Sequence, residues 1–251
     1  MSFYIQKFNN IDKMNHKNTY IYKNGAKNIL FIGGCRATLL SIYFEKVFSL
    51  IPYFYHQQFG FGAIMVHILD LKGMSKTNNL INAIENADII ICEQIKHFSF
   101  INTINTCEQN IFNNFNIKKD CHIVNIPNME LYFYESQLKL IENIDENNIK
   151  EIRDKNLNKL LYYCDYFNCY ELSQYIKDNI YKERLFATYN HPMSTLFILL
   201  TKDLFKQIFN YNLDQNIINI IKEIKIFDND YKNFSKVSEL DYTTGVNRNV
   251  T

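Results

Sequence analysis

Residues 28–36 read Asn28-Ile29-Leu30-Phe31-Ile32-Gly33-Gly34-Cys35-Arg36 and carry the clearest structural signal in the chain. Residues 28–32 form a short, continuous apolar run that two glycines end, which is typical of a buried strand. The next residues, 36–51, carry apolar side chains at helical spacing on one broad face. The stretch therefore predicts a strand–turn–helix unit with a cysteine at the turn.

The same alternation continues through the first half of the chain. Further strands are predicted at 63–69, 88–92 and 121–126, and helices at 77–87 and 100–115. Continuous apolar strands that alternate with helices indicate a parallel sheet covered on both faces. We therefore predict an α/β fold with a Rossmann-like or SGNH-like parallel sheet flanked by helices.

The second half changes character and is predicted to be mainly helical. Residues 135–178 are polar and rich in helix formers, and helices are predicted at 192–209, with Pro192 in the first turn, and at 217–226. We predict a single α/β domain over residues 1–251. Its parts are a lead-in (1–27), a sheet core (28–130), a mainly helical cap with closing helices (131–234) and a tail (235–251).

Composition excludes several classes of protein. The 251 residues are 47% hydrophobic, enough for one sizeable core. Lys and Arg number 27 against 26 Asp and Glu, and this balance argues against nucleic acid as a partner. Since no apolar run approaches the roughly 20 residues of a membrane span and residues 1–20 lack an apolar leader core, we expect a cytoplasmic protein. The sequence carries no signal for the oligomeric state.

The six cysteines do not form a metal-binding pattern. None lies in a Cys-x-x-Cys pair, and a structural zinc site needs paired ligands at short spacing. We predict no metal site and expect reduced thiols, most of them buried as small hydrophobic side chains.

Cys35 is the sharpest candidate for chemistry. The two glycines before it leave backbone amides exposed, and the start of a helix adds positive potential that favours thiolate over thiol. Arg36 would add to that potential. The same amides could hold a phosphate or an oxyanion. The alternative is a buried thiol at an ordinary glycine turn.

His191 is the second candidate. It lies in Thr188-Tyr189-Asn190-His191-Pro192, just before a predicted helix, and Pro192 restricts its backbone. A histidine held there can act as a general base, and Asn190 could orient it or donate to an oxyanion. The alternative is a histidine that caps the helix or packs in a turn.

Polar residues follow other predicted strands at their carboxyl ends. Glu93 and Gln94 follow one strand, and Pro127-Asn128 follow the next. Together with the turn at Cys35 they fall where the active sites of parallel α/β folds lie, which predicts a shared cleft. The alternative for Glu93 and Gln94 is a solvated strand end.

The chain resembles the WcbI-type polysaccharide-biosynthesis proteins, a family of proposed coenzyme A-dependent acetyltransferases of capsule sugars. The resemblance lies in the order of four segments, at residues 29–36, 87–94, 126–128 and 186–192. The resemblance covers residues 28–210 and is most specific at the cysteine turn and at Asn190-His191-Pro192. The family pattern has Asn-Cys-Gln at the turn, where this chain has Gly34-Cys35-Arg36. The order also looks like the SGNH-hydrolase plan, although Cys35 and Thr188 replace its serine and aspartate.

The resemblance implies an enzyme that binds acetyl-CoA and acetylates a hydroxyl or amine of a sugar or nucleotide-sugar acceptor. The candidate roles are catalysis by Cys35 and His191, oxyanion or substrate binding by Gly34, Arg36, Gln94 and Asn190, and cofactor binding by Gly33, Arg36 and Arg184. Of these residues, Gln94 and Asn190 match family positions, while Arg36 and Arg184 are candidates for the cofactor phosphates by their charge. Two routes stay open: an acetyl-cysteine intermediate, or direct attack by an acceptor that His191 activates. The alternatives are a thiol-dependent esterase or deacetylase, and a non-catalytic nucleotide- or glycan-binding module.

Overall fold

The computed structural model describes residues 19–23, 25–65, 78–94, 115–133, 148–188 and 191–224. The predicted helix at 100–115 lies almost wholly outside these residues, as do Asn190, the tail at 235–251 and most of the lead-in.

Within the described residues, the first half of the chain forms one five-stranded sheet in the order β1-β3-β2-β4-β5. The strands are β1 (Thr19–Lys23), β2 (Lys27–Gly33), β3 (Phe59–Met65), β4 (Ile89–Glu93) and β5 (His122–Ile126). The last four run parallel to one another, while β1 pairs antiparallel with β3 at the edge. The predicted parallel α/β sheet is thereby confirmed.

Helices cover β2 on both faces. The helices of this half are α1 (Cys35–Leu50), α2 (Pro52–Tyr55) and α3 (Asn78–Glu85). On one face the ring of Phe31 packs edge-on against Phe44 of α1, with centroids 5.2 Å apart. On the other, Leu30 and Ile32 share a buried cluster with Ile84 of α3. Burial on both faces explains why the strand is continuously apolar.

The chain divides into two compact units, Met1–Ile126 and Pro127–Thr251. The second unit is mainly helical, as predicted. Its elements are α4 (Ile149–Tyr166), α5 (Tyr170–Asn179), β6 (Phe186–Thr188), β7 (His191–Pro192), α6 (Ser194–Phe209) and α7 (Gln215–Ile221). Whether the two units form the single domain expected from the sequence stays a prediction.

A buried aspartate joins two helices of the second unit. The carboxylate of Asp203, on α6, accepts the backbone N–H groups of Glu171 at 3.1 Å and Leu172 at 3.0 Å in the first turn of α5. These N–H groups have no partner within their own helix, so a side chain from another helix supplies the cap. Burial raises the pKa of Asp203, and the two N–H groups oppose that rise.

Three segments predicted from the sequence have wrong boundaries. The helix predicted at 217–226 is α7, which begins two residues earlier and ends at Ile221, before the non-helical residues 222–224. β3 begins at Phe59 rather than Ala63, because pairing with β2 keeps Gly60 and Gly62 extended in spite of the low strand propensity of glycine. Pro192 does not open a helix. It pairs with Phe186 in a short antiparallel ladder, and α6 begins two residues later at Ser194.

No helix among the described residues has both the length and the apolar character needed to span a membrane.

Candidate functional site

The sheet order places the Gly33-Gly34-Cys35 turn at the point where the chain reverses its direction of winding. From β2 the chain moves to β3 on one side, then crosses to β4 on the other. The carboxyl ends of β2 and β4 are therefore adjacent. Ligands of open α/β sheets bind in the crevice that such a reversal creates.

Glu93, the last residue of β4, holds the turn that follows β2. Its Oε2 accepts the backbone N–H of Gly34 at 2.8 Å, and its Oε1 lies 2.5 Å from Nε of Arg36. The exposed side-chain fractions of Arg36 and Glu93 are 6% and 1%. A charge buried this deeply is stable only when it is paired and hydrogen-bonded, and each member of this pair supplies the other's partner.

Gly33 makes the close approach of Glu93 possible. A Cβ atom at this position would lie 2.6 Å from both Cβ and Oε2 of Glu93, and 2.7 Å from Cβ of Ala37. At Gly34 a Cβ would meet Oε2 of Glu93 at 3.5 Å, an ordinary contact distance. Only the first glycine of the pair is therefore required by packing.

Cys35, the first residue of α1, is half-buried and forms no disulfide bond with another described cysteine. Burial raises the pKa of Cys35 to about 11, because the loss of solvent outweighs the lowering effect of Arg36. The Glu93 carboxylate raises this pKa further, and the backbone N–H groups of Arg36 and Cys35 lower it. The helix start and Arg36 thus favour the thiolate as expected, but burial outweighs them, so the expected net preference for thiolate over thiol is wrong. Glu93, which neutralises much of the charge of Arg36, is part of the physical reason.

The structure also locates the other predicted residues of the first unit. The N–H of Gly34, expected to bind an oxyanion, already donates to Glu93. Arg36, expected to bind substrate or cofactor, is buried against the same carboxylate. Gln94 follows β4 and is buried, and its backbone N–H donates to the carbonyl of Ile126 at 2.9 Å.

The remaining predicted residues belong to the second unit. His191 is half-buried and pairs with Thr188 in the β6–β7 ladder. Nε of Arg184 donates to the carbonyl of Phe186 at 2.9 Å, and its Nη2 donates to that of Ala187 at 2.8 Å. Arg184 thus braces β6, and its predicted role in cofactor binding stays a prediction. The predicted proximity of His191 to Cys35 likewise stays a prediction.

Of the predicted site residues, the structure therefore brings together Gly33, Gly34, Cys35 and Arg36. It also adds Glu93, whereas the sequence predicts a site role for its neighbour Gln94. The available signal was the acidic residue that closes an otherwise apolar strand. Among the described residues, no three His, Cys, Asp or Glu side chains form a group that could hold a metal ion.

Fold and site together define an α/β protein with a cysteine at the helix start beside the reversal point of a parallel sheet. No family model matches the chain, and no curated protein matches it by sequence. Among solved structures, it is similar to WcbI, described as a polysaccharide biosynthesis enzyme. The TM-score is 0.52 at 12% identity, over 90% of this chain and 81% of that one.

The description of that WcbI structure specifies the native protein without a disulfide bond between coenzyme A and one of its cysteines. At this level of identity the likeness shows the fold, and it establishes a distant structural relationship to WcbI.

Proposed function

We propose that the protein is a coenzyme A-dependent acetyltransferase that acts on a sugar hydroxyl or amine in glycan biosynthesis, with Cys35 and His191 at its active site. The observation that carries the proposal is the position of Cys35. Cys35 begins a helix at the point where the sheet reverses its direction of winding. The fold is similar to that of WcbI, a polysaccharide biosynthesis enzyme whose structure is described with reference to a disulfide bond between coenzyme A and a cysteine.

The protonation state of Cys35 bears on the route of transfer. Because burial raises the pKa of Cys35 to about 11, far fewer of its thiols are ionised at pH 7 than the few per cent of an ordinary cysteine. The thiolate is the nucleophile, so this resting state favours direct attack by the acceptor over an acetyl-cysteine intermediate. In the direct route, His191 accepts the proton of the acceptor as the acceptor oxygen or nitrogen attacks the thioester carbonyl. The bond between the carbonyl carbon and sulfur then breaks, and coenzyme A leaves as a thiolate that takes the proton from His191.

The residues at the turn fit one end of coenzyme A better than the other. The partly exposed Cys35 can contact the thiol or thioester end. The phosphates need free cations or free amides, and both Arg36 and the Gly34 N–H are already bound to Glu93. We therefore place the reacting end of the cofactor, and not its phosphates, beside this turn.

The test is an acetyl-transfer assay on the full chain. Acetyl-CoA and a panel of sugars and nucleotide sugars are incubated with the protein, and mass spectrometry detects acceptors that gain one acetyl group. His191→Ala should abolish or strongly reduce that product. Cys35→Ala should abolish it on the covalent route and only reduce it on the direct route, in which Cys35 contacts the thioester end of the cofactor. The matched controls are Cys121→Ala and His122→Ala. They alter residues at the amino end of β5, whereas the Cys35 turn lies at the carboxyl end of the parallel strands, so both variants should retain activity.

The outcomes separate the proposal from its alternatives. Product formation that depends on His191 but leaves no acetyl group on the rapidly quenched protein supports direct transfer. An acetyl group on the wild-type protein that is absent from Cys35→Ala supports the covalent route. Release of free acetate from acetylated sugars without coenzyme A identifies a deacetylase and rejects the proposal. Activity that survives both substitutions also rejects it.

A further inference from the structure

One carboxylate holds the residues on both sides of Cys35. We propose that Glu93 is a positioning residue for Cys35. One of its oxygens accepts the N–H of Gly34, the other pairs with Arg36, and the cysteine between them is fixed by a side chain from the neighbouring strand. The inference deepens the proposed function, on which its catalytic part rests.

The geometry suits this role for three reasons. Both partners of the ion pair are buried, so solvent offers neither of them an alternative. The two bonds reach residues that flank the cysteine, which fixes the direction in which α1 leaves the strand. Finally, Gly33 lies so close to Glu93 that a methyl group would not fit between them, which closes that side to the carboxylate. A second layer of contacts of this kind is what keeps a reactive side chain in place.

The same contacts set the electrostatic field at the sulfur. Among the residues that the structure describes, the charged groups that act on the Cys35 thiol are Arg36, which lowers its pKa, and Glu93, which raises it. Because the two charges are paired, each offsets the other. Removing one of them should shift the reactivity of Cys35 in a direction that depends on which charge is lost.

The experiment measures alkylation of the full-length protein by iodoacetamide between pH 6 and 10, with peptide mass spectrometry to follow each cysteine. Glu93→Gln leaves Arg36 uncompensated, so Cys35 should react roughly threefold faster or more at pH 8, with about tenfold for each unit by which its pKa falls. Arg36→Gln leaves the carboxylate uncompensated and should slow the reaction. Cys121, another half-buried thiol of the same unit, is the internal reference.

Opposite shifts of the Cys35 profile in the two variants, with an unchanged Cys121 profile, support the inference. A purely structural loosening would instead speed both cysteines at every pH. Unchanged Cys35 profiles, or shifts of the same sign, overturn the inference. If neither variant folds, hydrogen exchange of the wild type decides: the Gly34 N–H must be protected, and exchange at the rate of an open amide overturns the inference.

Steady-state kinetics of the acetyl-transfer reaction provide a second test of the role of Glu93. Glu93→Asp keeps the charge but shortens the side chain by one methylene, and it should lower kcat in the acetyl-transfer assay more than it raises KM. An unchanged kcat in this variant contradicts a positioning role. The alkylation experiment needs neither acetyl-CoA nor an acceptor, so failure of the proposed acetyltransferase activity and failure of the role of Glu93 are told apart.

Discussion

Replacing Gly33 by alanine should destabilise the protein strongly, because the added methyl has no space. Its carbon would lie 2.6 Å from Glu93 and 2.7 Å from Ala37, well inside van der Waals contact. Overpacking of this kind costs about 1–3 kcal/mol. If Glu93 retreats, its charge-assisted bond to Gly34 is lost as well, at about 1.5–3 kcal/mol. We expect the free energy of unfolding to fall by about 1–3 kcal/mol if the bond survives, and by up to about 6 kcal/mol if it is lost.

The neighbouring glycine supplies the matched control. At Gly34 the new methyl would make ordinary contacts, at 3.5 Å from Oε2 of Glu93 and 3.7 Å from Nη2 of Arg36. The backbone is extended, with φ −73°, so alanine adopts it without strain. Alanine is a poorer helix N-cap than glycine, but it also loses less conformational entropy on folding, which offsets that cost by about 0.4–1 kcal/mol. Gly34→Ala should therefore stay within about 1 kcal/mol of the wild type.

Urea unfolding followed by circular dichroism measures both variants, with the slope of the transition as a check that the same surface is exposed. We expect a large decrease in the free energy of unfolding for Gly33→Ala and a small change for Gly34→Ala. Equal losses in the two variants, or a Gly33→Ala protein as stable as the wild type, would refute the packing of Glu93 against this turn.

Two further predictions concern helix caps in the second unit. Asp203→Asn replaces one of the two oxygens that accept the Glu171 and Leu172 N–H groups by an NH2 donor, which leaves one of these N–H groups without an acceptor and should lower the free energy of unfolding by about 1–3 kcal/mol. Because the folded-state pKa of Asp203 is raised above its ordinary value of 3.8, the wild type should lose stability relative to this variant as the pH rises from 3.8 through the folded-state pKa; a gap that widens with pH would contradict the burial of the carboxyl. Asp214 caps α7 by accepting the N–H of Ile217 at 2.9 Å, so Asp214→Ala should cost about 0.5–2 kcal/mol and Asp214→Asn much less. Equal urea midpoints for the wild type and Asp214→Ala would show that the cap contributes nothing.

The sheet was predictable because its strands carry a local signal. β2, β4 and β5 are short apolar runs bounded by glycine, aspartate or proline, and each lies within one or two residues of its predicted position. β3 was misplaced because its first residues alternate phenylalanine with glycine. Only pairing with neighbouring strands keeps such a segment extended, and a single sequence does not show pairing.

Only the location of the site in the fold was predictable from the sequence. The turn at Cys35 follows from the glycines that end β2, but its electrostatics depend on a residue 58 positions later, since Glu93 comes from the adjacent strand. From sequence alone, a helix start and an arginine favour a thiolate. Burial and the carboxylate of Glu93 reverse that expectation. The sequence does not show which charges meet, because contact between β2 and β4 is a property of the sheet order.

The most direct test of the account is whether coenzyme A shields Cys35. Iodoacetamide labelling is measured with and without coenzyme A, at a concentration that thermal shift shows to be saturating; at 100 times the dissociation constant it should stabilise the protein by about 2.7 kcal/mol. If the reacting end of the cofactor binds beside the β2–α1 turn, labelling of Cys35 should slow by up to about 100-fold while Cys121 reacts as before. Labelling of Cys35 at an unchanged rate under saturating coenzyme A, or no binding of coenzyme A at all, would contradict the account.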